Sequence, residues 1–547
     1  MELKKKLKEF WKDYYLVAVL VVAVAAVAWR VYMALQNGMW VDEGRYSLIA
    51  NSLLKHPFEY SSPYHGIVKN YGPVFPYLLY LSQLVLGQGK LAVYIVSPVI
   101  GGLSILMTYL LGKEMFGRLQ GFIAAVLLSV SPVFTYINTR ILVGSTLSLV
   151  YLVAISLMYY GLKDKKYSKY AMMALGPVLA LGIITKQPAY FLGGIFLIYL
   201  YRKTGFEFLT DYRNHRYVWF AAGLGVITLI PWFVRSFSIC GLPLCTIEKV
   251  ILHITRESAG KEFSTAGSWH YLKTLGGLLS VPVAALVYFR YSAGTVYRAF
   301  MEMDVRKVGY VFGGFVLATA VQFLADPRFP RFMPFTVLFA YTLLQDSDER
   351  FLLWLWTAVG IGGMSVGLIK VPRYVMFTVP AILLLLSDFL VSIRDLIAEN
   401  ISLDGRKITA VLLVIVAVLG YFSYRDTASR HSNLKAGFQK LEEGGEWFQG
   451  KDVNVLATSP RQLMFFSGND ADFDMLSGNK SVLESKIRSG NYSYVVLDRY
   501  ERTKTEEVKT VNSNWARSSL LTPVKVFRQR DTPAVIVYRI NPEEVRG

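Results

Sequence analysis

The chain has 547 residues, of which 53% are hydrophobic and 18% are charged, with a mean hydropathy of +0.37. A soluble chain would keep about a quarter of its residues charged, and an aromatic content of 14% excludes a disordered one. The apolar residues come in repeated runs of about 20, the length that crosses a bilayer as a helix. Composition therefore predicts a polytopic α-helical membrane protein.

About thirteen apolar segments are predicted to be transmembrane helices, the last ending near Tyr424. They cover roughly 14–36, 91–112, 119–138, 142–161, 169–186, 188–201, 217–235, 270–290, 308–325, 332–345, 351–369, 374–396 and 407–424. The segments at 169–186 and 188–201 are also compatible with one helix kinked at Pro188, because proline removes a backbone donor.

Basic residues are concentrated before 425, where 39 Lys and Arg face 23 Asp and Glu. They cluster in the segments 4–8, 163–169, 202–216 and 290–307. Thirteen spans put all four segments on one side, and the positive-inside rule makes that side cytoplasmic. This topology explains the basic excess better than nucleic-acid binding, so no nucleic-acid partner is predicted. It places the N-terminus in the cytoplasm and the tail, residues 425–547, outside.

The first outer loop, residues 37–90, contains the acidic pair Asp42 and Glu43 just beyond the first span. Apolar spacing over 47–54 and again over 74–86 predicts two helices lying along the membrane surface. One interpretation of the acidic pair is a helix cap, since acids favour the first turn of a helix. The other is chemical: a carboxylate beside low-dielectric surroundings can act as a general base.

Basic residues also recur at the predicted outer ends of later spans. They are Arg140, Lys186, Arg235, Arg328, Arg331, Lys370 and Arg373. Snorkelling to the interface explains any single one, but as a set they oppose the positive-inside bias. An anion at the outer surface would favour them, because arginine and lysine bind phosphate oxygens. The pattern predicts a lipid-phosphate substrate, approached from outside.

Several of these segments, taken in order, resemble the lipid-sugar-dependent membrane glycosyltransferases of the C-type fold. The resemblance is to glycosyltransferase family 39, with its protein O-mannosyltransferases, and to the aminoarabinose transferases of lipid A. The matching segments are 42–46, Gly72-Pro73, 181–186, 231–235 with 241–244, and 371–374 with Pro380. In order and spacing they extend over about four fifths of the chain.

This resemblance implies inverting transfer of a single sugar from a polyprenyl- or dolichyl-phosphate donor to a protein, lipid or glycan acceptor outside the cytoplasm. It assigns Asp42 as the general base, with Glu43 as its neighbour in binding or orientation. The substrate-binding residues it suggests are Arg45, Tyr46, Arg140, Lys186, Arg235, Arg331, Lys370, Arg373 and Tyr374. Membrane lipid is the other expected partner.

No cofactor is assigned with certainty, and a divalent cation is left open. Relatives often carry an acid shortly after the arginine that follows the third span, whereas Arg140 is followed by Ile141-Leu142-Val143-Gly144. The six histidines are scattered and no HExxH motif occurs, so no structural metal site is predicted.

The tail is predicted to be a small soluble α/β domain. Strand-like runs occupy 453–458, 494–498 and 534–538, and helical stretches occupy 434–448 and 481–489. Asp498 ends a strand, where ligands often bind, but such aspartates usually cap turns.

Three other functions are compatible with the sequence. A secondary transporter would need buried ionisable groups near the midplane, and Asp388 is the clearest acid inside a span, with no obvious partner. An oligosaccharyltransferase-type enzyme should carry a WWDYG-like motif, but no Trp-Trp pair occurs. The third is a catalytically inactive adaptor or structural membrane protein.

Cys240 and Cys245 lie in one predicted outer loop. Oxidising conditions outside the cytoplasm would permit a disulfide between them. Two free thiols are equally compatible with the sequence, which does not give the loop geometry.

Overall fold

The computed structural model describes residues 13–245, 338–366, 372–418, 439–498 and 520–543, with short interruptions inside these stretches. The predicted spans 270–290 and 308–325 lie outside the described residues, as do parts of 332–345 and 407–424. The candidate site residues Arg331 and Lys370 also lie outside them.

The described part is mostly helical before the tail. Its helices are α1 (Tyr14–Leu35), α2 (Val41–Lys55), α3 (Val74–Leu86), α4 (Lys90–Met115), α5 (Arg118–Val130), α6 (Pro132–Asn138), α7 (Gly144–Gly161), α8 (Ser168–Ile183), α9 (Tyr190–Thr204), α10 (Glu207–Thr210), α11 (Arg216–Cys240), α12 (Asp348–Thr357), α13 (Gly363–Val366), α14 (Val379–Ile401), α15 (Pro460–Phe466) and α16 (Lys480–Arg488). A π-helical stretch, Ala358–Gly362, joins α12 to α13, and 3₁₀ turns occupy Gln187–Ala189, Pro372–Tyr374 and Met376–Thr378.

Five helices in the described residues are long and apolar enough to cross a membrane, and α5 with α6 makes a sixth if that bent pair is one span. The chain is thus a multi-pass membrane protein. Helices α2 and α3 occur where the first outer loop was predicted to be helical. The break between α8 and α9 spans several residues, so the 169–201 segment forms two helices rather than one kinked helix.

The pair α5 and α6 meets at an angle of 60°. Pro132 begins α6, and the fully buried Arg30 of α1 donates from Nη2 to the carbonyl of Ser129 at 3.0 Å. The guanidinium carbon lies 5.2 Å from the centre of the Phe134 ring. Arg30 therefore satisfies a backbone acceptor that the end of α5 leaves without a helical partner.

Ion pairs join the helix ends on the predicted cytoplasmic side. Lys113 donates to Asp13 at 2.5 Å, and Arg202 to Asp348 at 3.1 Å. Asp388, which the sequence analysis left without a partner, accepts from Nε of Arg350 at 2.9 Å. The partner is 38 positions away in the sequence, and only packing brings it close.

Residues Cys240 and Cys245 are joined by a disulfide, with their Cα atoms 5.9 Å apart. Helix α11 ends at Cys240, and Gly241 follows with a φ of 69°, the left-handed conformation that ends many helices. Of the two alternatives that the sequence left open, the structure contains the bridge.

The tail contains a five-stranded sheet in the order β4-β3-β5-β7-β6. Its strands are β3 (Asn454–Ala457), β4 (Asp472–Met475), β5 (Tyr494–Asp498), β6 (Leu521–Gln529) and β7 (Thr532–Ile540); the outer loop holds the short hairpin β1 (Ser61–Ser62) and β2 (Gly66–Ile67). Strands β3, β4 and β5 are parallel, whereas β7 is antiparallel to β5 and β6.

The three strands that the sequence predicted are β3, β5 and β7, the central ones of this sheet. The two strands it missed, β4 and β6, are at the edges. Edge strands bury less side-chain surface and tolerate polar residues. Their sequences, DFDM and LTPVKVFRQ, therefore lack the apolar run that identifies a central strand.

Candidate active site

The acidic pair lies in the first turn of α2, directly after α1. Trp40 is the N-cap, and its N–H donates to Oε2 of Glu43 at 2.6 Å. This contact satisfies one of the backbone donors that a helix start leaves without a partner. For Glu43, the helix-capping interpretation of the pair is therefore part of its role.

Glu43 also joins α2 to the turn after α6. It is fully buried, its Oε1 accepts from the N–H of Ile141 at 2.8 Å, and its Oε2 lies 3.2 Å from Nη1 of Arg140. Arg140 donates to the carbonyl of Gly38 at 3.0 Å as well. Burial lowers the pKa of Arg140, but Glu43 together with Tyr136 and Tyr94 more than offsets this and raises the pKa, so the guanidinium stays charged. The pair holds the start of α2 in place.

Asp42, the neighbouring acid, is one-third exposed and faces a different arginine. Its Oδ2 lies 3.2 Å from Nη1 of Arg373, whose side chain is 20% exposed. The Arg373 guanidinium carbon is 4.7 Å from the centre of the Trp40 ring and 5.6 Å from that of Tyr374. Nε and Nη1 of Arg373 are buried, and neither donates a hydrogen bond to the described residues; the Nη1 contact with Asp42 is an ion pair without hydrogen-bond geometry. The arginine thus keeps donor capacity for a further anion.

Lys186 reaches the same place from the turn between α8 and α9. Its Nζ is 5.0 Å from the centre of the Tyr374 ring. Burial lowers the pKa of Lys186 to about 8; Arg373 acts in the same direction and Asp42 opposes it. Lys186 and Arg373 share the Tyr374 ring as a partner, and Arg373 contacts Asp42, so the three charged residues form one cluster, although more than 300 positions separate the first from the last.

The turn that carries Lys186 is pressed against the first outer loop at Gly72. A Cβ on Gly72 would lie 2.1 Å from the carbonyl oxygen of Ile184 and 2.5 Å from that of Thr185. Only glycine allows the two backbones to approach this closely. The Gly72-Pro73 motif therefore helps to hold Lys186 near α2.

Tyr46 and Arg45 extend the cluster along α2. Burial raises the pKa of Tyr46 and Asp42 adds to the rise, whereas Arg373 and Arg45 oppose it. The Tyr46 hydroxyl therefore stays protonated and lies within electrostatic range of both Asp42 and Arg373. The Arg45 guanidinium carbon is 4.6 Å from the centre of the Tyr71 ring.

Arg235 has a different setting. Its Nη2 donates to the carbonyls of Tyr60 and Val68, at 2.9 Å each, and its guanidinium carbon lies 4.7 Å from the Trp232 ring. These contacts fasten the β1–β2 hairpin of the outer loop to α11. No contact among the described residues joins Arg235 to Asp42 or Arg373.

The structure thus brings together six of the predicted site residues: Asp42, Arg45, Tyr46, Lys186, Arg373 and Tyr374. It places Glu43 with Arg140 in a buried pair, and Arg235 at the hairpin. Sequence reasoning missed Trp40 and Tyr71 as ring partners of the arginines. Both residues lie beside segments that the resemblance had singled out, Trp40 before 42–46 and Tyr71 before Gly72-Pro73, and this position could have indicated them.

In the described part of the chain, no group of three His, Cys, Asp or Glu side chains could hold a metal ion. The side chains nearest Asp42 are cationic or aromatic. Such a set suits an anion better than a divalent cation, which prefers several oxygen ligands.

Comparisons with known proteins agree with this picture. Residues 70–234 match the family described as dolichyl-phosphate-mannose-protein mannosyltransferase. No curated protein sequence matches the chain at a significant level. The chain is similar in structure to ArnT from Cupriavidus metallidurans in the apo state, with a TM-score of 0.59, 13% identity, and coverage of 96% of this chain and 98% of that one.

Two further solved structures are similar. ArnT from Cupriavidus metallidurans bound to undecaprenyl phosphate has a TM-score of 0.56 and 12% identity over 97% of this chain and 98% of that one. The archaeal oligosaccharyltransferase AglB from Archaeoglobus fulgidus, in complex with an inhibitory peptide and a dolichol-phosphate, is also similar. Its TM-score is 0.52 and its sequence identity is 14%, over 89% of this chain and 70% of that one. The fold is that of the C-type membrane glycosyltransferases. The resemblance predicted from the motifs is confirmed.

Proposed function

We propose that this chain transfers a single sugar, with inversion, from a polyprenyl- or dolichyl-phosphate donor to an acceptor hydroxyl. The family match over 70–234 and the fold support a glycosyltransferase that uses a lipid-phosphate-linked sugar. The observation that carries the proposal is the cluster of one accessible carboxylate, Asp42, with two cations, Arg373 and Lys186.

In the proposed step, Asp42 takes the proton from the acceptor hydroxyl. The acceptor oxygen forms a bond to the anomeric carbon, and the bond from that carbon to the phosphate oxygen breaks on the opposite face. The electron pair of the broken bond leaves with the lipid phosphate, whose negative charge increases. Attack opposite the leaving group accounts for inversion.

Arg373 and Lys186 are proposed to hold the lipid phosphate. Arg373 combines a planar guanidinium with two buried nitrogens that make no hydrogen bond to the described residues, and Lys186 adds a compact charge. Because Arg373 also faces Asp42 at 3.2 Å, a phosphate on Arg373 would compete with this carboxylate. Donor binding would then weaken the hold on the base.

The remaining candidates are proposed to have supporting roles. Arg45, Tyr46 and Tyr374 surround the cluster and are candidates for contacts to the sugar. Glu43 is buried with Arg140, so we propose that this pair orients the start of α2 rather than exchanging protons with substrate. Arg235 is proposed to shape the outer loop, and Arg331 and Lys370 remain predicted phosphate ligands.

The proposed location is the outer face of the cell membrane, with the N-terminus in the cytoplasm and the tail outside. Support comes from the basic segments 163–169 and 202–216, which follow the fourth and sixth predicted spans. Protease added to intact spheroplasts should cleave the tail. Cleavage only in inverted vesicles would contradict this orientation.

The deciding assay uses the purified full chain in lipid nanodiscs with polyprenyl-phosphate sugars and extracted envelope acceptors, with mass spectrometry of the products. We expect lipid phosphate release coupled to acceptor glycosylation by the wild type. Absence of both with every lipid-phosphate monosaccharide would overturn the proposal.

Oligosaccharide transfer is the second candidate, since the similarity to AglB favours it. The same assay with lipid-linked oligosaccharides separates the two: a single-sugar transferase leaves them unused.

A further inference from the structure

Helix α15 of the tail packs against α2, the helix that carries Asp42. The two helices approach closely at Gly44. A Cβ on Gly44 would lie 3.3 Å from Cβ and the carbonyl carbon of Arg461 and from the backbone nitrogen of Gln462. This separation is tighter than ordinary van der Waals contact, so the tail backbone would have to shift by a few tenths of an ångström to accommodate a methyl group.

The interface extends beyond this glycine. Leu463 and Met464 of α15 share one buried apolar cluster with Leu48 and Ala50 of α2. Close packing of this kind transmits displacement, because interiors have few voids to absorb it. A movement of α15 is therefore expected to move α2.

Two polar contacts add to the connection between the tail and the helical part. Nε2 of Gln439 donates to the carbonyl of Gln36 at 2.7 Å, at the end of α1. Lys90, at the start of α4, forms an ion pair with Glu442. Of the two, the Gln36 contact is nearer to α2, since Gln36 lies five residues before Val41.

The sheet holds α15 in place. Thr458 directly follows β3, and Asp498 ends the adjacent parallel strand β5. The Thr458 hydroxyl donates to the Asp498 carboxylate and accepts from the Asp498 N–H at 2.9 Å, and both residues are buried. Asp498 therefore ties the turn that leads into α15 to the next strand, the turn-stabilising role that strand-end aspartates usually have.

We infer that the tail is a positioning element for the proposed general base: α15 supports the back of α2 and fixes where Asp42 lies. In a helix each residue is rotated by about 100° from the last, so Gly44 faces nearly opposite to Asp42. The tail thus acts through the helix, without touching substrate at this point. The inference rests on the proposed role of Asp42.

Gly44→Ala is the primary test. In an isolated helix, alanine would favour helix formation, but here its methyl group pushes α15 and α2 apart. We expect kcat to fall about tenfold or more with KM for donor and acceptor unchanged, since small misplacements of reacting groups are costly. Gly194→Ala is the matched control: that helical glycine has no atom within 4 Å of an added Cβ. It should keep wild-type kcat.

Hydrogen exchange gives a readout that does not depend on activity. Amides of 41–55 should exchange faster in Gly44→Ala than in wild type, while those of the control helix α9 stay unchanged. Wild-type exchange in 41–55 together with wild-type kcat would overturn the inference. If Gly44→Ala exchanged faster over 41–55 but the wild type showed no sugar transfer, the contact between α15 and α2 would be supported. The proposed function would then be contradicted instead.

Thr458→Val tests the same connection from within the tail. It keeps the side-chain shape but removes the hydroxyl that binds Asp498, and Thr458→Ser restores the hydroxyl. We expect Val to lower kcat and speed exchange in 41–55, and Ser to recover both. Equal effects of Val and Ser on 41–55, or none from either, would contradict the inference.

Discussion

Asp42 and Glu43 are neighbours in the sequence and lie in the same helical turn, yet they belong to two different regions of the molecule. Asp42 is one-third exposed and faces Arg373 and Lys186. Glu43 is fully buried and is held by Arg140 and two backbone N–H groups.

The difference follows from helix geometry. A rotation of about 100° between consecutive residues points one carboxylate into the cluster of cations and the other into the packed interior. Chemistry needs a carboxylate that substrate can reach, whereas a buried ion pair needs good geometry and further hydrogen bonds to offset its desolvation. An acidic pair in a motif can therefore divide the two tasks between its members.

Asp42→Asn should have the largest effect on activity. Asparagine keeps the shape of the side chain but cannot accept the acceptor proton, so the transfer rate should fall by about 10²–10⁴. Expression, insertion and thermal stability should remain close to wild type. The rate is measured with a polyprenyl-phosphate sugar in nanodiscs, and unchanged activity would remove Asp42 as the base.

Glu43→Gln should act on stability instead. It leaves the buried, charged Arg140 without its carboxylate, a change that costs about 3–5 kcal/mol. We expect a clearly lower thermal midpoint in detergent. The matched variant Glu43→Leu with Arg140→Met removes both charges and should unfold later than Glu43→Gln. If Glu43→Gln were as stable as wild type but inactive, the two acids would share the chemistry.

Arg373→Lys should weaken donor use, since the planar guanidinium is lost while the charge is kept. We expect the apparent donor affinity to fall about tenfold, because charge-assisted contacts to phosphate are strong. The apparent donor affinity of Arg373→Ala should fall further. Donor titration at fixed acceptor measures both, and a silent Arg373→Lys would support interfacial snorkelling.

The pH dependence of donor binding should report on Lys186. Its pKa of about 8 means that the charged form prevails below pH 8 and is lost as the pH rises through that value. The protonated fraction falls about tenfold between pH 7 and pH 9, so donor KM should rise over this range. Lys186→Arg, which stays charged, should flatten the profile. The same rise in Lys186→Arg would assign the titration to another group.

The sequence already identified charged residues at the predicted outer ends of the apolar segments. Asp42, Lys186 and Arg373 could be selected because a charged side chain at the end of an apolar run is unusual and easily seen. The runs 453–458, 494–498 and 534–538 identified the buried strands for a similar reason, since a strand covered on both faces is continuously apolar. The edge strands β4 and β6 lacked that pattern.

Pairing could not be predicted in the same way. Nothing local indicates that Glu43 meets Arg140, that Asp42 meets Arg373, or that Asp388 meets Arg350. The contact of Gly44 with Arg461 joins positions more than 400 residues apart. Ion pairs and close backbone approaches depend on distances across the fold, which the spacing of residues along a chain does not encode.

By itself, the sequence determined that the chain is a multi-pass membrane protein and predicted acidic and basic motifs at the ends of its apolar segments, because apolar run length and charge position are local properties. Only the tertiary structure decided which acid is accessible, which arginine faces it, and that the tail packs against the helix that carries both acids. The physical reason is that burial and electrostatic contact are set by what packs against a side chain, and for Asp42 and Glu43 those partners come from distant parts of the chain.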